Sequence, residues 1–150
     1  MKISTRGRYG LRALIDIASQ KDNKRITIKT LSERQGVSEH YLEQIIAILK
    51  KAGMVKSIRG AQGGYILNAS PYTTSVGDIL RILEGSLSIT GCTDERNEST
   101  CGNSTCDNCV TKSVWERIQN SIDEIVNNIT LHELVEDYKL LNVIEKGDFF

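Results

Sequence analysis

Four apolar residues, Leu42, Ile45, Ile46 and Leu49, recur at i, i+3, i+4 and i+7, the spacing of one buried helix face. Upstream, Tyr9, Ala13, Leu14, Ile17 and Ala18 fall near the same period and predict a helix over residues 4–20. The polar run "QKDNKR" between them reads as a turn. Thr27 can then cap a short helix that carries Ile28 and Leu31 and ends near Arg34. "QGV" breaks that helix, and Ser38 can cap the next one, with Glu39 in its first turn favouring the helix dipole. Gly53 is placed to end it in a left-handed conformation.

The period then changes from helical to extended. Two short apolar strands, residues 55–58 and 65–67, flank "RGAQGG". Three glycines in six residues fit a hairpin whose backbone takes positive φ or approaches another molecule closely. Ser75 caps a helix through Leu83, with Asp78 three residues on and Gly85 just past its end. In a long helix over residues 111–129, Trp115, Ile118, Ile122, Ile125 and Ile129 repeat at spacings of three and four, a coiled-coil seam. Thr130 and Glu133 make a capping box for a last short helix, and the tail from about Asn142 carries no pattern.

Helix, short helix, turn, helix and glycine-rich hairpin, in that order, are a winged helix-turn-helix. The expected fold is mainly α with a small β-wing. Residues 1–70 form a DNA-binding domain, 71–110 a linking helix and cysteine loop, and 111–150 a dimerisation helix with a C-terminal helix. Pro71, the one proline, falls at the first boundary.

Charge sharpens this picture. The chain is neutral overall, but residues 1–70 hold 13 Lys/Arg against 5 Asp/Glu, and residues 71–150 hold 6 against 14. The first half suits a polyanion and the second repels one. On the helix that Ser38 caps, the face opposite the apolar stripe carries Ser38, His40, Tyr41, Glu43 and Gln44, hydrogen-bonding groups where a reading helix meets base edges. Arg59 at the wing tip can enter a narrow minor groove. Tyr41 can equally pack at the helix edge, His40 can be a plain surface residue, and the wing glycines can serve only a tight turn. Glu43 is negative on a face that approaches DNA. It can accept from a cytosine amine or penalise wrong sequences.

All four cysteines, Cys92, Cys101, Cys106 and Cys109, lie within the polar stretch "CTDERNESTCGNSTCDNC". Such a loop cannot bury itself, so four thiols there imply a bound centre that orders it. Thiolates hold iron–sulfur clusters and zinc alike, and Cys106-x2-Cys109 is also a zinc-ligand spacing. With 39% hydrophobic and 25% charged residues, the chain has the composition of a folded protein. It has no apolar run near the roughly 18 residues of a membrane span, and its basic start leads into no apolar core, so a cytoplasmic location with reduced thiols is expected. No nucleophile–base pair, phosphate loop or histidine cluster supports an enzyme.

The stretches "ISTRGRYGLRALIDIA" (3–18), "LSERQGVSEHYLEQI" (31–45), "SIRGAQGGYIL" (57–67), "GDIL" (77–80), "CVTKSVW" (109–115) and "NNITLHELV" (127–135) resemble the bacterial iron–sulfur winged-helix regulators of the IscR, NsrR and CymR family. The resemblance implies a homodimer through residues 111–129, most simply a repressor, on a partly palindromic double-stranded DNA operator. It puts Ser38, Tyr41, Glu43, Gln44 and Arg59 at positions the family uses on DNA. It matches Cys92, Cys101 and Cys109 to three family ligands, and the family's histidine position falls on Lys112, which is no ligand. Cys106 can replace it, giving a [2Fe–2S] centre held by four cysteines. A [4Fe–4S] cluster, zinc or a nitric-oxide-responsive centre are the alternatives. Relatives that borrow an acidic residue from the start of the partner chain have Arg8 as their counterpart here, which gives that route no support.

Overall fold

The computed structural model describes residues 2–94 and 109–145. Helix α1 (Thr5–Ala18) starts at Ser4, whose hydroxyl accepts from the Gly7 N–H, and ends two residues short of the expected 20. Ser19 and Gln20 turn their side chains back onto the Asp16 carbonyl and close the helix there. Helix α2 (Ile28–Gln35) is capped by Thr27 and stopped by Gly36, at φ 67°. That left-handed turn opens space for α3 (Glu39–Lys51), capped by Ser38. Gly53, at φ 77°, follows its end as expected.

Strands β1 (Val55–Ile58) and β2 (Gly64–Leu67) pair antiparallel with Val55 opposite Leu67 and Ile58 opposite Gly64. Ile26 adds a single antiparallel bridge to Tyr65, with both N–H groups donating across at 3.0 and 2.8 Å. One isolated residue of pairing leaves no alternation in the sequence to mark this third edge. Helix α4 (Val76–Glu84) opens with the Ser75–Asp78 capping box. Helix α5 (Lys112–Asn128) follows the cysteine loop, and α6 (Leu131–Glu145) ends the described chain. The expected short last helix is thus 15 residues long. No proline or glycine interrupts 131–145, and the strong helix formers Leu, Glu and Lys carry it on.

One core joins these elements. Leu14, Ile17, Leu31, Leu42, Ile45, Ile46 and Leu49 from the helix-turn-helix meet Val55 of the wing, Ile79 and Leu83 of α4, and Leu131 and Val135 of α6. Burying each such side chain contributes about 1.5–3 kcal/mol before entropy costs. The turn between α5 and α6 is stitched to the start of α4. The Val76 N–H donates to the Ile129 carbonyl and the Leu131 N–H to the Thr74 carbonyl, both at 2.9 Å. A second, smaller cluster of Val76, Leu80 and Leu87 receives Val126, Ile129 and Leu134.

Candidate nucleic-acid interface and cysteine loop

Helix α3 divides as its sequence divides. Leu42, Ile45, Ile46 and Leu49 are at most 1% exposed, whereas Ser38, His40, Glu43 and Gln44 face solvent. The Ser38 hydroxyl accepts from the Tyr41 N–H at 3.2 Å, so it caps the helix and keeps its own O–H to donate outward. The Gln44 amide donates to His40 Nε2 at 3.2 Å, which ties two candidate reading groups together along one turn. Arg59 is exposed at the wing tip beside Gly60, at φ 112°.

Tyr41 is half-buried. Its ring meets Tyr9 edge-on at a centroid distance of 6.2 Å, and its O–H donates to Thr5 Oγ1 at 3.1 Å. Arg12 in turn lies over the Tyr9 ring, 5.6 Å from its centroid. The packing at the helix edge is therefore present, and it carries the phenol to the start of α1. Nothing in the sequence pattern marks Thr5 or Arg12, because a contact between helices leaves no mark within either helix's own period.

The chemistry of the loop is visible at its two ends. Cys92 is half-buried on a short 3₁₀ turn, Gly91–Thr93, and Cys109 is exposed three residues before α5. Cys101 and Cys106 lie outside the described residues. Cys109 Sγ is 3.2 Å from the Thr111 hydroxyl. Hydrogen bonds from the side chain and backbone of Thr111 and from the Lys112 backbone, with a smaller push from the Lys112 charge, hold this thiol below its ordinary pKa. A thiol biased toward thiolate is a soft donor, and thiolate is the form that binds iron or zinc. Lys112 sits on the first turn of α5 with its ammonium 3.9 Å from Glu116. Among the described residues, no three His, Cys, Asp or Glu side chains gather as a metal site.

The Cys92 turn is bonded to α5. Gln119, 9% exposed, accepts from the Ile89 N–H at 3.0 Å, and its amide donates to Asp123 at 3.0 Å. Arg81 of α4 donates to Asp123 at 2.9 Å and to Asn127 at 2.7 Å. These groups line a polar cavity of about 560 Å³ with Ser86, Ser88, Thr93 and Asp94.

On the other side of α5, Val114, Ile118 and Ile125 are 47%, 42% and 59% exposed. Trp115, Ile122 and Ile129 of the expected seam are only half-exposed. The open apolar stripe is thus rotated slightly from the seam, because Ile129 packs against the chain's own smaller cluster.

The family model Rrf2, described as an iron-dependent transcriptional regulator, matches residues 3–137. The transcriptional regulator IscR of Vibrio vulnificus is 35% identical over 148 residues, which is 99% of this chain and 85% of that protein. Among solved structures, T. potens IscR is 46% identical with a TM-score of 0.72, over 92% of this chain and 88% of that one. CymR, titled the global cysteine regulator of B. subtilis, is 37% identical with a TM-score of 0.75, over 91% of this chain and 97% of that one. Among the described residues, no helix is long and apolar enough to cross a membrane.

Proposed function

The chain belongs to the Rrf2 family of helix-turn-helix transcriptional regulators, and from that premise we propose that it binds its operator as a homodimer and reports the state of a [2Fe–2S] centre. Residues 1–70 read DNA, 71–110 carry the centre, and 111–150 join two copies. Ser38, His40, Tyr41, Glu43 and Gln44 face the major groove, and Arg59 the flanking minor groove. Occupancy of the operator is the output, and repression is its simplest form.

The observation that carries this reading is the placement of the two described thiols. Gln119 in the middle of α5 accepts from the Ile89 N–H just before the cysteine loop and from the Thr93 hydroxyl beside Cys92 at 3.4 Å, and the other end of the loop leads into the start of the same helix. A centre in this loop therefore bears on the helix whose open apolar stripe suits a second copy. Cys92, Cys101, Cys106 and Cys109 would hold it, and when bound it supplies a redox couple and a group that small oxidants can destroy. The chain's own residues do the rest. Thr111 and Lys112 keep Cys109 toward thiolate, Gln119 holds the Cys92 turn, and the α3 face reads bases.

The test is anaerobic purification with an absorption spectrum, counts of iron, sulfide and zinc, and operator binding before and after removal of the centre. Two irons and two sulfides per chain, lost in each single Cys→Ala variant, with a change in operator affinity, support the proposal. Zinc without sulfide, or equal affinity in both forms, makes the centre a structural one.

A further inference from the structure

Helix α4 touches both the cysteine side and the DNA side of the molecule. On one side, Gln119 holds the backbone of the segment before Cys92 and donates to Asp123, which accepts from Arg81 of α4. One turn further along α4, the Glu84 carboxylate accepts from the Ser4 hydroxyl at 2.5 Å. Ser4 is the cap of α1, and the next residue, Thr5, receives the Tyr41 O–H from the recognition helix. The series of contacts is unbroken from the Cys92 turn to α3.

Three glycines let the helices along it approach closely. A Cβ on Gly7 of α1 would collide with the Glu84 carboxylate, and one on Gly10 with Leu83. On the opposite side, a Cβ on Gly77 of α4 would collide with Asn127 and crowd Val126 of α5. Side chains of α4 thus lie against glycine backbone of α1, and Asn127 and Val126 of α5 lie against glycine backbone of α4. Close-packed interiors transmit strain. The Arg81–Asp123 pair is 38% and 36% exposed, so it is a poor source of stability. Its direction matters more than its strength, since it fixes α4 against the helix that holds the Cys92 turn.

We infer that α4 is the strut that transmits the state of the cysteine turn to the recognition helix, with Gln119 and Glu84 as the positioning residues at its two contacts. The sensing half of this inference rests on the function proposed above. The mechanical half does not, and it is tested in protein free of any metal.

In metal-free protein, Gln119→Leu should speed amide hydrogen exchange in the first turns of α1 and α3. Lys139→Ala, which removes an exposed pair with Glu136 on α6, should leave both turns as in wild type. Unchanged exchange at α1 and α3 in a folded Gln119→Leu protein overturns the strut. The second measurement is the ratio of operator affinities with and without the centre, for wild type, Gln119→Leu, Glu84→Ala and the double variant. Each single variant should cut that ratio at least about threefold, and the double variant no further than the worse single, as contacts in series require. Glu84→Ala should leave the absorption spectrum of the centre unchanged, because it acts on the DNA side. Single variants with the wild-type ratio, or losses that multiply, overturn the inference. A wild-type ratio of one instead removes the sensing reading, and the exchange measurement then decides the strut alone.

Discussion

Asp16 and Arg34 join α1 to α2 by an ion pair of 2.6 Å in which the carboxylate is 1% exposed and the guanidinium 46%. Gln20 supports it by donating to the same carboxylate at 3.3 Å and to the Asp16 carbonyl at 2.8 Å. The other carboxylate oxygen, Oδ2, is buried and has no hydrogen-bond partner among the described residues. This pair ties α2 to α1. Arg34→Ala strands a buried charge. It should destabilise the protein by about 2–3 kcal/mol, below the cost for a fully buried pair because the guanidinium is half in water. Urea unfolding measures this, and Arg34→Lys should recover only part of it, since an ammonium lacks the planar fork.

The Tyr41–Thr5 bond gives a second prediction. Tyr41→Phe keeps the ring against Tyr9 and loses only the hydroxyl. It should weaken operator binding by less than about tenfold, in line with one neutral hydrogen bond. Thr5→Val should match it, and the double variant should be no weaker than either single one. A double variant that loses the sum would mean that each hydroxyl meets DNA separately.

Arg59 is exposed on the wing. Arg59→Ala should lower affinity, reduce the salt slope by about one phosphate contact, and act most strongly on an A·T-rich flank. Titrations of one operator at several salt concentrations read both effects, and an unchanged slope would take Arg59 away from the DNA.

Ile118 and Ile125 are more exposed than Ile122, so they are the cleaner probes of association. Ile118→Glu and Ile125→Glu should sediment as monomers, keep the helical circular dichroism of the wild type, and lose operator binding. A dimer that survives both changes would place the interface elsewhere.

The Cys109 thiol, held below its ordinary pKa chiefly by Thr111, should ionise at lower pH than a free cysteine. Lowering the pKa enlarges the thiolate fraction at neutral pH, and thiolate is the reacting form. In metal-free protein, the pH at which alkylation of Cys109 is half-maximal should therefore rise in Thr111→Val. Mass spectrometry of the Cys109 peptide reports it, and an unmoved midpoint would remove the Thr111 hydroxyl as the cause.

Local patterns carried much of the fold. Capping residues Ser38, Ser75 and Thr130 act within four positions of their partners, so spacing alone marks them. The apolar stripe of α3 and both wing strands were legible for the same reason. What spacing cannot show is a bond between distant segments. Ser4 to Glu84, Gln119 to Ile89 and Tyr41 to Thr5 span 80, 30 and 36 positions. Asp16 did leave a trace, a single carboxylate inside "ALIDIA", where the α1 period faces the core. Periodicity makes the α5 seam one stripe, because it gives a direction but not which neighbour fills it. Here the chain's own α4 takes part of that face.

The two backbone bonds that fasten the end of α5 to the start of α4 make that end of α5 a fulcrum. Its 17 residues rise about 1.5 Å each, so its start lies about 25 Å from the fulcrum. A tilt of about ten degrees there displaces the start by about 4 Å, close to the roughly 3.4 Å between successive base pairs. The Arg81–Asp123 and Arg81–Asn127 bonds brace α5 against α4 along this lever, so in a symmetric pair joined along α5 the spacing of the two reading heads would be held to within the scale at which a duplex counts.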